Sequence, residues 1–311
     1  MINNLQGNFQ RHKPSIGLAL SGGGARGIAH IGVLRVLERE GIPVDYLAGT
    51  SMGGVMAAGY AAGMSSYDLE RIACVASQKR HMIQLLDPGL GGGGVFRGQR
   101  LLAFFKHEFG EKTFDGLPKQ LAVVAVDLLT HQEVVIKEGS VAFALRATTS
   151  IPGVFRPLEV DGKQLVDGGL LNNLPVDVAK NMGAEVVIAV DIGFTYSEGV
   201  GQWVGNRSWV PYNIANTLEV IDNCLYTIRI VEQDNKMRQF PPNVLICPDL
   251  PTNVNSFTGY DRVKELIEAG EKSAEEHLPE IKTLLGLNNY WTEKDSFFAQ
   301  ASIPEALSNC H

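Results

Sequence analysis

The chain has 311 residues, of which 45% are hydrophobic and 20% are charged. This length allows one large α/β domain or two small ones, and the composition is ordinary for a soluble globular protein. The formal net charge of −7 disfavours a nucleic-acid partner, because phosphate binding needs a basic surface.

The cysteines and the apolar runs exclude further classes. Four cysteines lie far apart without a C-x-x-C pair, which argues against a zinc site and against a disulfide framework. The polar start, Met1 to Lys13, lacks the apolar centre of a signal peptide. No run approaches the roughly 18 apolar residues of a membrane span. We therefore expect a cytoplasmic protein, for which peripheral contact with a membrane and the oligomeric state stay open.

The first 63 residues alternate between strands and helices. An apolar run at 15–20 predicts a strand, a glycine-rich loop follows at 21–27, and apolar residues at helical spacing come next. A second short strand, 45–48, leads through a serine turn at 49–53 into a helix of small residues, 54–63. Such alternation implies parallel strands joined by crossover helices.

The middle of the chain, 64–118, is predicted to be mostly helical, with a glycine-rich interruption at 87–94. No G-K-[ST] follows these glycines, so we interpret them as a mobile loop near the mouth of a site rather than as a phosphate cradle. Whether this loop gates a site is left open. The later predicted elements are strands at 121–127, 133–136, 158–160, 164–166, 185–191 and 243–247, and helices at 142–149, 176–182, 214–237 and 261–285, the last with Pro279 as a candidate break.

A serine between glycines follows the second predicted strand. The stretch Gly49-Thr50-Ser51-Met52-Gly53 suits a nucleophile elbow, because the turn forces strained backbone angles and small neighbours leave the hydroxyl clear. The positive end of the helix dipole would favour the charge that develops on acylation. The alternative is a tight turn with a capping serine.

The glycine loop after the first strand supports two interpretations. The stretch Gly22 to Gly27 matches G-x-G-x-x-G, and Asp45 lies 18 residues beyond it, as in a dinucleotide-binding fingerprint. Alternatively, the backbone N–H groups of the loop receive an oxyanion, with Arg26 adding positive charge. Only the second interpretation also gives roles to the Ser51 turn and to Asp167-Gly168-Gly169, which follows a later predicted strand.

A nucleophilic serine needs a base, and the seven histidines offer none in an obvious catalytic setting. None lies near a late strand end, where an α/β-hydrolase places its triad histidine, and we expect His30 to be structural or solvated. Asp167 differs, because it lies at a predicted strand end and before two glycines that leave its carboxylate unobstructed. In a dry site that raises its pKa, such a carboxylate can orient the Ser51 hydroxyl and accept its proton. The alternative is a turn aspartate.

Three ordered motifs resemble those of the patatin-like phospholipase family. They are Gly22-Gly23-Gly24-Ala25-Arg26-Gly27, Gly49-Thr50-Ser51-Met52-Gly53 and Asp167-Gly168-Gly169. The segments 150–157 and Asn172-Asn173-Leu174-Pro175 are also similar to that family. The resemblance covers residues 14–195 well and is looser beyond 214.

The resemblance implies a three-layer α/β/α sandwich with a mostly parallel central sheet. It implies an acyl hydrolase of lipid esters, phospholipid or lysophospholipid, that needs neither a cofactor nor a metal. Head group, acyl length and cleaved position stay open. The residues carried over are Ser51 as the nucleophile of a Ser-Asp dyad, Asp167 as its base or orienting partner, and Gly22, Gly23, Gly24 and Arg26 as the oxyanion hole.

The corresponding organisation is one catalytic domain with flanking segments. We expect a flexible lead at 1–13, a catalytic core at 14–195, a helical portion of the same domain with a late strand at 196–290, and a tail at 291–311. Two alternative functions stay open besides hydrolysis. They are a non-enzymatic regulator that keeps the fold for partner binding, and a nucleotide-binding oxidoreductase.

Overall fold

A central sheet runs through the molecule, for which the computed structural model describes residues 13–89, 91–193, 212–252, 254 and 258–287. The strands are β1 (Ile16–Leu20), β2 (Tyr46–Thr50), β3 (Gly94–Phe96), β4 (Gln120–Asp127), β5 (Gln132–Ile136), β6 (Gly153–Phe155), β7 (Leu158–Val160), β8 (Lys163–Asp167), β9 (Val186–Val190) and β10 (Val244–Ile246). The helices are α1 (Ala29–Arg39), α2 (Met52–Ala61), α3 (Ser66–Ala76), α4 (Lys79–Leu85), α5 (Gln99–Phe109), α6 (Val141–Thr148), α7 (Val176–Asn181), α8 (Tyr212–Gln239) and α9 (Val263–Leu284).

Parallel strands form most of this sheet. Its order is β10-β9-β1-β2-β4-β8-β7, and β5 pairs with the other edge of β4. The strands from β10 to β4 pair in parallel, whereas β5, β7 and β8 run antiparallel to their neighbours. β1 and β9 are buried along their whole length, as is usual for parallel strands that are covered on both faces.

Different helices cover the two faces of the sheet. In β1, Ile16, Leu18 and Leu20 pack in one apolar cluster with α1, α2 and α9, whereas Ala19 packs in another with α7 and the end of α8. Successive residues of a strand point to opposite faces, so the sheet lies between two helical layers. The expected α/β/α sandwich with a mostly parallel central sheet is confirmed.

Two strands end against each other along one edge of β4. β2 pairs with β4 as far as Thr50, which lies opposite Val124, while β8 ends with Asp167 opposite Ala125. Because β5 pairs with β4 over both stretches, it takes the other edge, and β2 and β8 must share this one. The C-terminal ends of β2 and β8 therefore meet head-on.

A small second sheet was not predicted from the sequence. β3 and β6 pair in parallel, Gly94 with Gly153 and Phe96 with Phe155. Three-residue strands are too short to show a period, and their pairing depends on contact between distant segments. The glycine-rich loop before β3 is anchored at its start, because the Asp87 carboxylate accepts hydrogen bonds from the first N–H groups around α5.

Two further expectations need correction. α9 continues through Pro279 instead of breaking there. Cys224 and Cys247 are free thiols, but Cys74 is disulfide-bonded, contrary to the expectation drawn from cysteine spacing. Spacing along the chain does not limit which cysteines a fold brings together. Most of the expected lead at 1–13 and the whole expected tail at 291–311 lie outside the described residues.

None of the described helices combines the length and the apolar character needed to cross a membrane. Across the same part of the chain, there is no cluster of three or more His, Cys, Asp or Glu side chains suited to a metal ion.

Helices α1 and α9 approach each other through a pair of glycines. A β-carbon built on Gly32 would overlap the carbonyl oxygen of Ile267, and one built on Gly270 would overlap that of Ala29. The contact is therefore backbone against backbone, and it fastens the C-terminal helix to the first helix of the core.

We expect Gly270→Ala to lower the free energy of unfolding by about 1–3 kcal/mol, because the added methyl group forces these two helices apart. The measurement is urea unfolding followed by circular dichroism. Gly116→Ala is the matched control, since the nearest atom to its β-carbon would be 3.7 Å away. Equal unfolding midpoints for the two variants would contradict this account of the packing.

Candidate active site

Ser51 lies in the turn between β2 and α2 with backbone angles that serine rarely adopts. Its φ is 52° and its ψ is −125°, a conformation that costs on the order of 1–3 kcal/mol outside glycine. A β-carbon on Gly49 would lie 2.5 Å from the carbonyl oxygen of Gly53, and one on Gly53 would overlap the carbonyl oxygen of Leu20. The strained, glycine-flanked turn expected from the sequence is present.

Thr148, at the end of α6, holds the backbone of this turn. The N–H of Ser51 donates to Oγ1 of Thr148 over 2.8 Å, and the Thr148 hydroxyl donates to the carbonyl of Val124 over 2.6 Å. Thr148 is fully buried, so no water competes for these bonds. The side chain thereby joins the serine turn to β4.

Asp167 is a buried carboxylate beside that turn. It is 1% exposed, its Oδ1 accepts a hydrogen bond from the N–H of Gly169 over 2.8 Å, and the Ser51 side chain lies close enough to lower its pKa. Burial raises the pKa of Asp167, while the charge of Arg229 and the hydrogen bonds from Ser51 and Gly169 oppose that rise. A carboxylate with a raised pKa accepts a proton more readily than an ordinary aspartate does.

The glycine loop runs beside the serine. A β-carbon on Gly22 would lie 3.0 Å from Cβ of Ser51. The N–H of Gly22 donates to the carbonyl of Asn173 over 3.1 Å, and Nδ2 of Asn173 donates back to the Gly22 carbonyl over 3.3 Å. A short 3₁₀ helix, Gly24–Ile28, follows the loop.

The N–H groups of Gly23 and Gly24 differ from that of Gly22 in their hydrogen bonding. Neither of them donates to an acceptor in the part of the chain that is described. Unpaired N–H groups at the start of a helical turn can donate hydrogen bonds to a negatively charged group. The loop, which passes Ser51 at Gly22, therefore offers two backbone donors at the positions that follow.

Arg26 is buried, and its guanidinium is engaged with the backbone. Its Nε donates to the carbonyl of Val254 over 2.8 Å, and a second nitrogen donates to the carbonyl of Gly193. Burial lowers the pKa of Arg26, and the nearby Tyr226 opposes that effect. The side chain ties the glycine loop to two segments that follow β9 in the chain.

One polar face of helix α8 packs against the site. A β-carbon on Gly169 would lie 3.0 Å from Nε of Arg229, whose side chain is buried. Gln233, one turn later, accepts from Nδ2 of Asn173 over 3.3 Å and donates to Asp191 over 2.5 Å. The helix is thus bonded to the same asparagine that holds the glycine loop.

Lys236 extends this polar face by another turn. Its Nζ lies 2.6 Å from Oε2 of Glu133 and 2.7 Å from Oδ2 of Asp177. Nδ2 of Asn172 donates to the same two carboxylates, and the Asn172 carbonyl accepts from the Thr50 hydroxyl over 2.8 Å. This network fixes α8 relative to the residue that precedes Ser51.

Two residues singled out from the sequence lie apart from this chemistry. His30 is fully buried, with Nε2 2.9 Å from the Ser21 carbonyl, which identifies Nε2 as the protonated nitrogen, and burial lowers its pKa to about 4. Asp45 accepts a hydrogen bond from the N–H of Ile16 over 2.8 Å, at the start of β1. The glycine loop follows the other end of β1, about 16 Å away, so Asp45 cannot complete a dinucleotide site with it.

Three residues of the site were missed from the sequence. Thr148 and Arg229 lie in helices without a motif, and their roles depend on contacts with distant strands. Asn173 has a signal in the sequence, because it lies in the family-like stretch Asn172-Asn173-Leu174-Pro175, although the resemblance gives its side chain no role.

Comparison with known proteins identifies the family. A family model described as patatin-like phospholipase matches residues 18–180, more than half of the chain. The chain belongs to the patatin-like phospholipase family. This confirms the resemblance found in the three motifs.

The relatives that match this chain are longer than the stretch they share with it. An NTE family protein of Mycobacterium tuberculosis is 38% identical over 181 residues, which are 58% of this chain and 49% of that protein. A patatin-like phospholipase domain-containing protein of Caenorhabditis elegans is 31% identical over 290 residues, covering 86% of this chain and 21% of that protein. The chain thus spans about half the length of these curated relatives, or less. Among solved structures, VipD from Legionella pneumophila matches 86% of this chain and 67% of its own with 14% identity and a TM-score of 0.49.

Thr148→Val should lower the free energy of unfolding by about 1–3 kcal/mol, because the Ser51 N–H and the Val124 carbonyl would stay buried without their partner. Urea unfolding measures the change. Thr148→Ser keeps the hydroxyl and is the matched control. A Thr148→Val variant no less stable than Thr148→Ser would show that these bonds do not hold the turn.

His30 should make stability fall in mild acid. Its folded pKa of about 4 is below the usual 6.5, so the unfolded chain binds the proton first. The stabilising contribution is complete above pH 6.5 and is lost as the pH falls towards 4, by up to about 3 kcal/mol. Urea unfolding between pH 7.5 and 5 measures this loss.

His30→Gln keeps a donor for the Ser21 carbonyl but does not titrate, so its stability should depend less on pH in this window. His107→Gln is the control, because that side chain is 83% exposed. The assignment fails if His30→Gln follows the pH dependence of the wild type.

Proposed function

We propose that this chain is a serine acyl hydrolase that cleaves carboxylic ester bonds of phospholipids or lysophospholipids through a Ser51–Asp167 dyad. The observation that carries the proposal is the position of the strained Ser51 turn beside the buried Asp167 carboxylate, where the ends of β2 and β8 meet on β4. Membership of the patatin-like phospholipase family supports the reaction class.

The first step is acylation of the serine. The Ser51 O–H bond breaks as its oxygen bonds to the ester carbonyl carbon, and the proton passes to the Asp167 carboxylate. The electron pair of the carbonyl moves to its oxygen. When this tetrahedral intermediate collapses, the bond to the alcohol breaks, and Asp167 returns the proton to the leaving oxygen.

The N–H groups of Gly23 and Gly24 are the proposed donors to the oxyanion. Loss of one such donor typically raises the barrier by about 3 kcal/mol. The Gly22 N–H is already bonded to Asn173, so Gly22 contributes by letting the loop approach Ser51. Arg26 contributes its positive charge and holds the loop in place through its bonds to Gly193 and Val254.

The second step releases the fatty acid. Water attacks the acyl carbon, Asp167 takes its proton, and collapse of the second intermediate breaks the bond to the Ser51 oxygen, which recovers the proton. The raised pKa of Asp167 suits both directions of transfer, since the group must accept a proton and return it. No histidine takes part in this scheme.

Peripheral contact with a lipid surface is part of the proposal. On α8, Val220 and Val231 are 11 positions apart and share a helical face, and both are exposed, at 61% and 53%. Arg229 and Lys236 lie on the opposite face, which covers the dyad. Val220 and Val231 therefore face outward over the site, beside exposed charged residues of the same helix. The cytoplasmic location and the division at 13, 195 and 290 stay predictions.

Ser51→Ala and Asp167→Asn should each reduce kcat/KM by at least about a thousand-fold, because each removes half of the dyad. The assay is hydrolysis of a short p-nitrophenyl ester and of a phospholipid and lysophospholipid panel, with a protein-free reaction as the blank. Asp161→Asn, in the exposed β7–β8 hairpin, is the matched control. Two folded variants with wild-type turnover would refute the dyad.

Asp167→Asn should also unfold no earlier than the wild type at pH 7. Because the pKa of Asp167 is higher in the folded state than in the unfolded chain, the free energy of unfolding falls as the pH rises through the folded pKa. The neutral amide of Asn does not ionise and avoids this loss. Thermal unfolding of the same samples provides the comparison.

A fluorophosphonate probe distinguishes the hydrolase from the rival non-enzymatic regulator, because labelling at Ser51 requires an activated hydroxyl.

A further inference from the structure

Arg229 supplies positive charge next to the candidate base from outside the stretch that matches the family. The match ends at residue 180, whereas Arg229 lies in the second half of α8. A β-carbon on Gly169 would lie 3.0 Å both from Nε of Arg229 and from Oδ1 of Asp167. The two atoms are therefore within about 6 Å of each other, the range in which an opposite charge affects a carboxyl group.

The position of the guanidinium is set by the rest of the helix. Arg229, Gln233 and Lys236 follow the spacing i, i+4 and i+7, so they share one face of α8. Gln233 accepts a hydrogen bond from Asn173, the residue that holds the glycine loop, and Lys236 binds carboxylates of β5 and α7. These bonds hold the helix at two further points, and the buried Arg229 side chain, 7% exposed, has little freedom to leave.

We propose that Arg229 is an electrostatic positioning residue of the dyad, which keeps the Asp167 carboxylate ionised and able to take the Ser51 proton. This inference rests on the proposed function, because it assumes that Asp167 is the base. Three groups oppose the effect of burial on Asp167: the Arg229 charge, the Ser51 hydroxyl and the Gly169 N–H. Of these, only Arg229 carries a full charge.

The chemistry of the dyad explains why such a charge is needed. A carboxylate that is shielded from water and has no cation nearby becomes protonated at a pH well above its usual pKa. Once protonated, it cannot accept the proton of a serine. A cation that acts at several ångströms keeps the carboxylate charged without occupying the oxygen that Ser51 uses. The helix beyond the family match would thus set the pH at which the core becomes active.

Arg229→Gln should shift the acid limb of kcat/KM upward by about one pH unit or more, because Asp167 then binds its proton at higher pH. Arg229→Lys restores the charge and should remain close to the wild type. Arg238→Gln removes an arginine from the same helix at an exposed position and should cause no shift. The rate of fluorophosphonate labelling at Ser51, followed from pH 5 to 9, is the second readout.

The outcomes separate the inference from the proposed function. A wild-type protein without Ser51-dependent hydrolysis or labelling at any pH refutes the proposed function itself. An active wild type whose acid limb is unchanged in Arg229→Gln overturns the inference and leaves the dyad standing. A changed KM with an unchanged acid limb also overturns it, since Arg229 would then act on the substrate. Arg229→Met, neutral and apolar, must show the same shift, which covers the case in which Arg229→Gln does not fold.

Discussion

The head-on meeting of β2 and β8 along one edge of β4 is the constraint on which this site depends. One strand runs parallel to β4 and the other antiparallel, so their C-terminal ends approach from opposite directions at Val124 and Ala125. A serine turn after the first end and an aspartate at the second become neighbours, although they are far apart in the chain. The backbone of the sheet, more than any side chain, brings Ser51 and Asp167 together.

The site concentrates features that cost stability. Ser51 has a strained backbone, and Asp167 is an ionisable group in a dry position. The glycine loop has backbone N–H groups that find no partner among the described residues. Such features persist where the surrounding structure over-determines them. Here the surroundings are two helical layers on a sheet with fully buried central strands, together with Thr148 and Asn173 as specific anchors.

The chain beyond residue 180 takes part in this site as well as in the fold. β10 extends the sheet beside β9, and α9 packs backbone to backbone on α1. Arg26 binds the carbonyl of Val254, and α8 places Arg229 beside Asp167. The stretch that matches the family therefore contains the proposed dyad and the glycine loop, while later segments hold the loop and place a cation beside Asp167.

The sequence by itself determined the alternation of strands and helices, the glycine loop, the Ser51 turn and the Asp167-Gly168-Gly169 turn. These features could be predicted because each depends on local conformation: where a chain must turn tightly, only glycine fits, and buried strands read as apolar runs. Only the tertiary structure decided the three-residue pairing of β3 with β6, the direction of Arg26, and the roles of Thr148 and Arg229. These depend on contacts between distant segments, and neither periodicity nor a short motif records such contacts.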